Sequence, residues 1–199
     1  MNAPEPTESR LLALAADHVR RFGAARATVV GVAAEAGMTH ANVYRYFPSK
    51  QALLEEVTAA WLRPLEAKLR EAADGADPAH DKLERMLLAV HRAYREKLDV
   101  DPALFDLLID SLTRERAAAR KHRARVQSEM QRVVEEGVAS GAFAMTDRRR
   151  ALSLVFDASH RFIHPVALRL DREIPAGALA QRFERIVSMT LRALRTGRT

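Results

Sequence analysis

The chain contains no cysteine, which excludes a disulfide framework and a zinc finger alike. It has no apolar run long enough to span a bilayer and no apolar signal-peptide segment at its N-terminus. No glycine-rich phosphate loop is present, and Ser111, Ser128 and Ser153 lack the context of a nucleophile elbow, so nothing in the pattern points to catalysis. No alternating stretch longer than a few residues marks a strand, and no segment repeats. What remains is 199 residues, 48% apolar and 29% charged, the charges mostly Arg and Glu among abundant Ala and Leu. That mixture predicts an all-α protein with a core of useful size, expected to be soluble and cytoplasmic, with no membrane partner and no cofactor.

The net charge is +6 and the pI about 10.1, which suits a polyanionic partner. The distribution is less telling. Residues 1–50 hold six Arg or Lys against four Asp or Glu, and the densest basic cluster, Arg114 to Arg125, reads first as a solvated helix face.

Proline and glycine divide the chain. Residues 1–8, with Pro4 and Pro6, predict a mobile arm. A helix is predicted from Thr7 to Phe22, with Leu11, Ala15, Val19 and Phe22 in one stripe and Gly23 as its stop. Another is predicted over 50–73, where Leu54, Val57, Trp61, Leu65 and Leu69 form a stripe that Pro64 should kink. After the linker Asp74–Pro78, helices are expected at 79–98, 102–113, 115–140, 147–168 and 176–196.

The stretch Thr28–Lys50 is the most informative. Val32, Ala33 and Ala36 share helical spacing, Gly37 stands where a tight turn needs positive φ, and Val43 and Tyr46 resume the period. Small Ala33 lets two helices cross closely. This is the pattern of a helix-turn-helix whose second helix, His40 to Phe47, enters the DNA major groove. An ordinary helical hairpin is the alternative. Against it, the second helix carries His40, Asn42, Tyr44, Arg45 and Tyr46 within one and a half turns. His40, Asn42 and Arg45 suit base edges, Tyr44 either groove or phosphate, and Thr28, Tyr46 and Lys50 sit where phosphate contacts usually fall.

From about Ser9 to Val57 the chain resembles the TetR family of bacterial transcriptional regulators. The resemblance is carried by Ala15-Ala16, Phe22-Gly23, Thr28, Ala33, Ala36-Gly37-Met38-Thr39, Val43-Tyr44-Arg45-Tyr46-Phe47-Pro48-Ser49-Lys50 and Leu53-Leu54, the block Tyr44–Lys50 being the most specific. Ala41 departs from the usual Gly, and Val30 and Gly31 stand where polar or charged residues are common. The resemblance implies an N-terminal three-helix DNA-binding domain, residues 1–50, which uses Thr39 as well. A larger helical ligand-binding and dimerisation domain, 51–199, would follow. It implies a homodimeric repressor that a small-molecule effector releases from palindromic double-stranded operator DNA, with the fourth helix as the lever between domains.

It also implies that the last two long helices pair across the dimer, which nominates Phe156, Ile163, Phe183, Ile186, Val187 and Leu191 for the interface. Internal core is the alternative for the same faces. For the effector, His91, Tyr94, Phe105, Leu108, His122, Arg123, Phe156 and His160 are the candidate lining, with Met130 beside them, favouring a neutral or anionic, partly aromatic ligand. Plain core is again the alternative. His160 and His164 have the i, i+4 spacing of two metal ligands, but no third ligand stands out. Two other functions stay open at this point: a helical metal-dependent enzyme built on that pair, and a DNA-binding dimer with no inducer.

Overall fold

The computed structural model describes residues 7–198. Ten helices make up its regular structure, and no strand occurs among the described residues: α1 (Thr7–Arg26), α2 (Val29–Ala36), α3 (His40–Tyr46), α4 (Lys50–Asp74), α5 (Ala79–Val100), α6 (Pro102–Thr113), α7 (Ala117–Ala139), α8 (Arg148–Ile163), α9 (Pro165–Leu170) and α10 (Ala176–Thr196). The first six residues of the expected N-terminal arm lie outside the described residues, while Thr7 and Glu8 already belong to α1. No helix is long and apolar enough to cross a membrane among the described residues.

The chain forms two compact units, and their boundary is not the linear one expected after residue 50. The first runs up to Arg63 and takes in Asp99–His122; the second is Pro64–Leu98 with the chain from Arg123 onward. Helices α4, α5 and α7 each contribute to both. In the first unit, Leu11, Ala15 and Val19 of α1 close on Val32 and Ala33 of α2, Val43 and Phe47 around α3, Leu53 and Val57 of α4, and Leu104 and Leu107 of α6. The α6 helix is therefore part of the N-terminal core. Asp101, at its N-cap, makes no side-chain cap bond; its carboxylate instead accepts from Arg20 Nε at 3.0 Å, and Arg20 also reaches Asp17 at 2.6 Å.

Four points along the chain bear on the sequence expectation. Gly23, with φ 75 and ψ 158, breaks α1 as expected, but the chain resumes a last turn to Arg26 before leaving it. At the expected Trp61 position of the α4 stripe it is the neighbouring Leu62 that is fully buried, while Trp61 is half-exposed and stands edge-on to Phe105 at 6.5 Å. Pro64 lies inside α4, which remains one helix, and it marks the point where the first unit gives way to the second. The helix expected over 147–168 is two: His164 adopts φ −94 and ψ 122, and Pro165 starts α9. A residue before proline is pushed out of the α region by the ring, which explains the break.

The second unit buries Leu83, Met86, Leu87 and Val90 of α5, Met130, Val133 and Val134 of α7, Val155 of α8 and Phe183, Val187 and Leu194 of α10. Phe143 lies across Gly137, where a Cβ would come within 2.2 Å of its ring.

Candidate nucleic-acid interface

The helix-turn-helix is built by caps before it is built by packing. Thr28 is the N-cap of α2 and its Oγ1 accepts from Gly31 N at 3.0 Å. Gly37 ends α2 at φ 67 and ψ 31, the left-handed region that costs glycine nothing. Around it Gly37 N donates to Ala34 O and Met38 N to Ala33 O, so the last carbonyls of α2 are satisfied inside the turn. Two residues later Thr39 caps α3, its Oγ1 accepting from Asn42 N at 3.3 Å. Each threonine hydroxyl keeps its own O–H free to donate to a phosphate oxygen.

The α3 helix has seven residues and is too short to be stable alone. It is held by Val43, which is wholly buried, and by Phe47 just past its end. This docking leaves His40, Ala41, Asn42, Tyr44, Arg45 and Tyr46 exposed on the outer face. Tyr44 and Tyr46 are 43% and 44% exposed, large for aromatic side chains in a module this small. His40 stands edge-on to Tyr44 at 6.3 Å. Between Glu35 and Glu55 the sequence has no acidic residue, and Arg45 makes no ion pair among the described residues. The face thus offers donors and acceptors with no local carboxylate to repel a polyanion.

Lys50 is placed differently from a free phosphate ligand. Its Nζ donates to the Ala25 carbonyl at 2.7 Å, fastening the start of α4 to the end of α1. Ser49 caps α4, accepting from Ala52 N at 3.0 Å.

The eight residues expected to line an effector pocket are divided between the two units. Phe105, Leu108 and His122 are buried in the first unit, whereas the other five belong to the second. Of those five, Arg123 and His160 are exposed and Phe156 is half-buried. The reason is topological: α7 passes from one unit to the other between His122 and Arg123, so neighbours in sequence have different surroundings. His91 and Tyr94 remain buried in the second unit. Nδ1 of His91 lies 2.8 Å from the Phe162 carbonyl, and its ring meets Phe162 and Phe183, which stack on each other at 4.8 Å. Burial holds the His91 imidazole below its ordinary range, partly offset by that carbonyl. Burial likewise pushes the Tyr94 phenol up, and nearby Glu66 adds to it.

The nominated interface residues also divide. Phe183, Val187 and Leu191 are buried within their own chain, so they form internal core instead of a face open to a partner. Phe156, Ile163 and Ile186 are half-buried, and Met189 of α10 is 65% exposed. A wide apolar stripe on α10 serves the chain's own core with one edge and leaves the neighbouring edge uncovered.

His160 and His164 stack at 4.7 Å, and no group of three potential ligands that could hold a metal occurs among the described residues. Burial first, then His160 and Arg123, lower the His164 imidazole.

Comparison with known proteins identifies the module. Residues 11–57 match the family model for bacterial regulatory proteins of the tetR family, and residues 79–187 match that for a tetracyclin repressor-like C-terminal domain. A relative in Bacillus subtilis (strain 168), the uncharacterized HTH-type transcriptional regulator YhgD, is 25% identical over 179 residues, covering 85% of this chain and 90% of that protein. Among solved structures, a TetR/AcrR-family regulator from Thermobifida fusca superposes with a TM-score of 0.70 at 22% identity over 90% of this chain and 95% of its own. The fatty acid degradation regulator FadR of Bacillus halodurans gives 0.67 at 19% identity over 94% and 96%. FadR of Bacillus subtilis in complex with stearoyl-CoA gives 0.64 at 17% identity over 96% and 99%. The two family models together span most of the chain, one of them on the helix-turn-helix itself: the protein belongs to the TetR family and is a DNA-binding transcriptional regulator.

Proposed function

We propose that the protein is a homodimeric repressor that reads a palindromic operator with α3 and leaves it when a small molecule binds the second unit. The observation that carries the DNA half is the outer face of α3. Asn42 and Arg45 are exposed there for adenine and guanine edges, with His40 and Tyr44 beside them and Thr28, Thr39 and Tyr46 at the margins for phosphates, while Lys50 fastens α4 to α1. Two recognition helices related by a two-fold axis read two half-sites. Phe156, Ile163, Ile186 and Met189 on α8 and α10 supply the apolar surface for pairing.

For the effector, the reading rests on the fold likeness to FadR holding stearoyl-CoA, together with the buried His91 and Tyr94 among apolar side chains. A long-chain acyl-CoA is the first ligand class to test. The mechanism is a population shift: a ligand that prefers the DNA-incompetent arrangement weakens operator binding by its differential affinity for the two states.

Selection of bound fragments from random duplex DNA tests the first half. A palindromic consensus is expected; enrichment without one would refute operator reading by a symmetric dimer. Adding stearoyl-CoA to the selected complex tests the second. Release together with a raised melting temperature is expected, and a complex indifferent to it would remove the acyl-CoA assignment.

A further inference from the structure

We propose that His18 positions the helix-turn-helix, by seating its imidazole in the notch that Gly31 leaves on α2 and by facing Glu35 one turn further on. His18 belongs to the buried face of α1 and is 6% exposed. A Cβ built on Gly31 would lie 2.6 Å from His18 Cε1, closer than a real Cβ comes, and a tight 3.2 Å from Nδ1. The imidazole therefore occupies the volume that any other residue at 31 would fill. Its Nε2 stands 3.0 Å from Glu35 Oε1, at ion-pair distance but outside hydrogen-bond geometry.

Glu35 is itself held. Nη2 of Arg21, one turn after His18 on α1, donates to both of its oxygens at 2.7 Å. That guanidinium lies over the Phe22 ring at 5.1 Å, and Phe22 meets the His18 ring edge-on at 5.4 Å. The hydrogen bond from Arg21 keeps the Glu35 carboxyl below the usual carboxylate range, and His18 contributes in the same direction. A second point of hold is Arg10, whose Nη2 donates to the Ala36 carbonyl at 3.2 Å.

The consequence for DNA reading follows from the size of the parts. The α3 helix buries Val43 alone within its seven residues, so its direction is borrowed from α2 through the Gly37 turn. Whatever sets α2 against α1 sets the base-reading face. In this chain a ring in a glycine notch does so.

A size-exchange cycle tests this, read as affinity for the duplex recovered by selection, at a temperature where circular dichroism shows every variant folded. Gly31→Ala puts a methyl group into the ring's place and is expected to weaken specific binding about tenfold. The same change would otherwise favour the helix, since alanine has the better propensity. Adding His18→Ala should restore most of the loss, whereas adding His18→Phe, which keeps a ring, should not. Should Gly31→Ala prove too unstable, the same rescue is read in melting temperature. Wild-type affinity in Gly31→Ala, additive effects in the double variants, or a cycle that moves melting temperature while leaving affinity unchanged would each overturn the proposal.

Discussion

Tyr46 and Phe47 are adjacent in sequence, and the structure gives them opposite work. Phe47 is 2% exposed, sits just past α3, and closes the small core with Val43 and Val32. Phe47→Ala removes a buried ring from a site that a seven-residue helix cannot collapse around, so the cost should fall at about 3–5 kcal/mol. Against a total stability of roughly 5–15 kcal/mol, that leaves α3 loosely docked or the first unit unfolded. Tyr46 is 44% exposed, so Tyr46→Ala should change stability by less than about 0.5 kcal/mol. It should still weaken binding to duplexes of every sequence alike, as loss of a phosphate contact does. Urea titration followed by far-ultraviolet circular dichroism gives the two stabilities. Fluorescence anisotropy on the selected duplex and on a scrambled one gives the affinities. Equal destabilisation by the two substitutions, or a Phe47→Ala protein as stable as wild type, would show that the docking of α3 is not as described.

Gly37→Ala meets no neighbour within 4 Å and should cost only the backbone strain of φ 67, about 1 kcal/mol, with Gly37→Asn milder; equal melting temperatures for all three proteins would contradict this. Asn42→Ala or Arg45→Ala should each cost about 1–3 kcal/mol on the selected duplex and relax its preferred sequence, and an unchanged preference in a repeated selection would remove that residue from base reading. Ile186→Glu is expected to give a folded monomer in sedimentation, whereas Val187→Glu, at a position buried within the chain, should unfold the second unit; a dimeric Ile186→Glu protein would place the interface elsewhere. His91 has a folded pKa depressed by burial, so the folded state binds fewer protons than the unfolded one. Its contribution is therefore complete above the ordinary value of 6.5 and is lost as pH falls below it; the urea midpoint should drop more steeply from pH 7 to pH 5 in wild type than in His91→Asn.

The helix-turn-helix was legible because its determinants are local. Ala33, Gly37 and Val43 act within a dozen residues, and a left-handed turn between two caps leaves few other solutions. Helix ends at Pro102, Gly141 and Pro175 were legible for the same reason. The break at His164 was concealed because the apolar period continues across it, although Pro165 carried the signal. On α10 the stripe is wide enough to serve both the chain's own core and a partner. Periodicity therefore named Phe183 and Val187 alongside Ile186 without separating inside from outside. The effector residues were illegible because what lies around His122 or His91 depends on segments dozens of residues away. His18 gave no signal of its own in α1; the unusual Gly31 was the only trace, and it gains meaning once the two are seen in contact.

The place of α6 in the N-terminal core bears on how such regulators can be recombined. A chimera that exchanges reading heads by cutting the chain once, near residue 57 or 63, would leave Leu104 and Leu107 behind and strip Asp101 from Arg20. The transplanted piece would carry an apolar wound where α6 had lain. A working graft from this protein must therefore be made in two segments, the second running from Asp99 to His122.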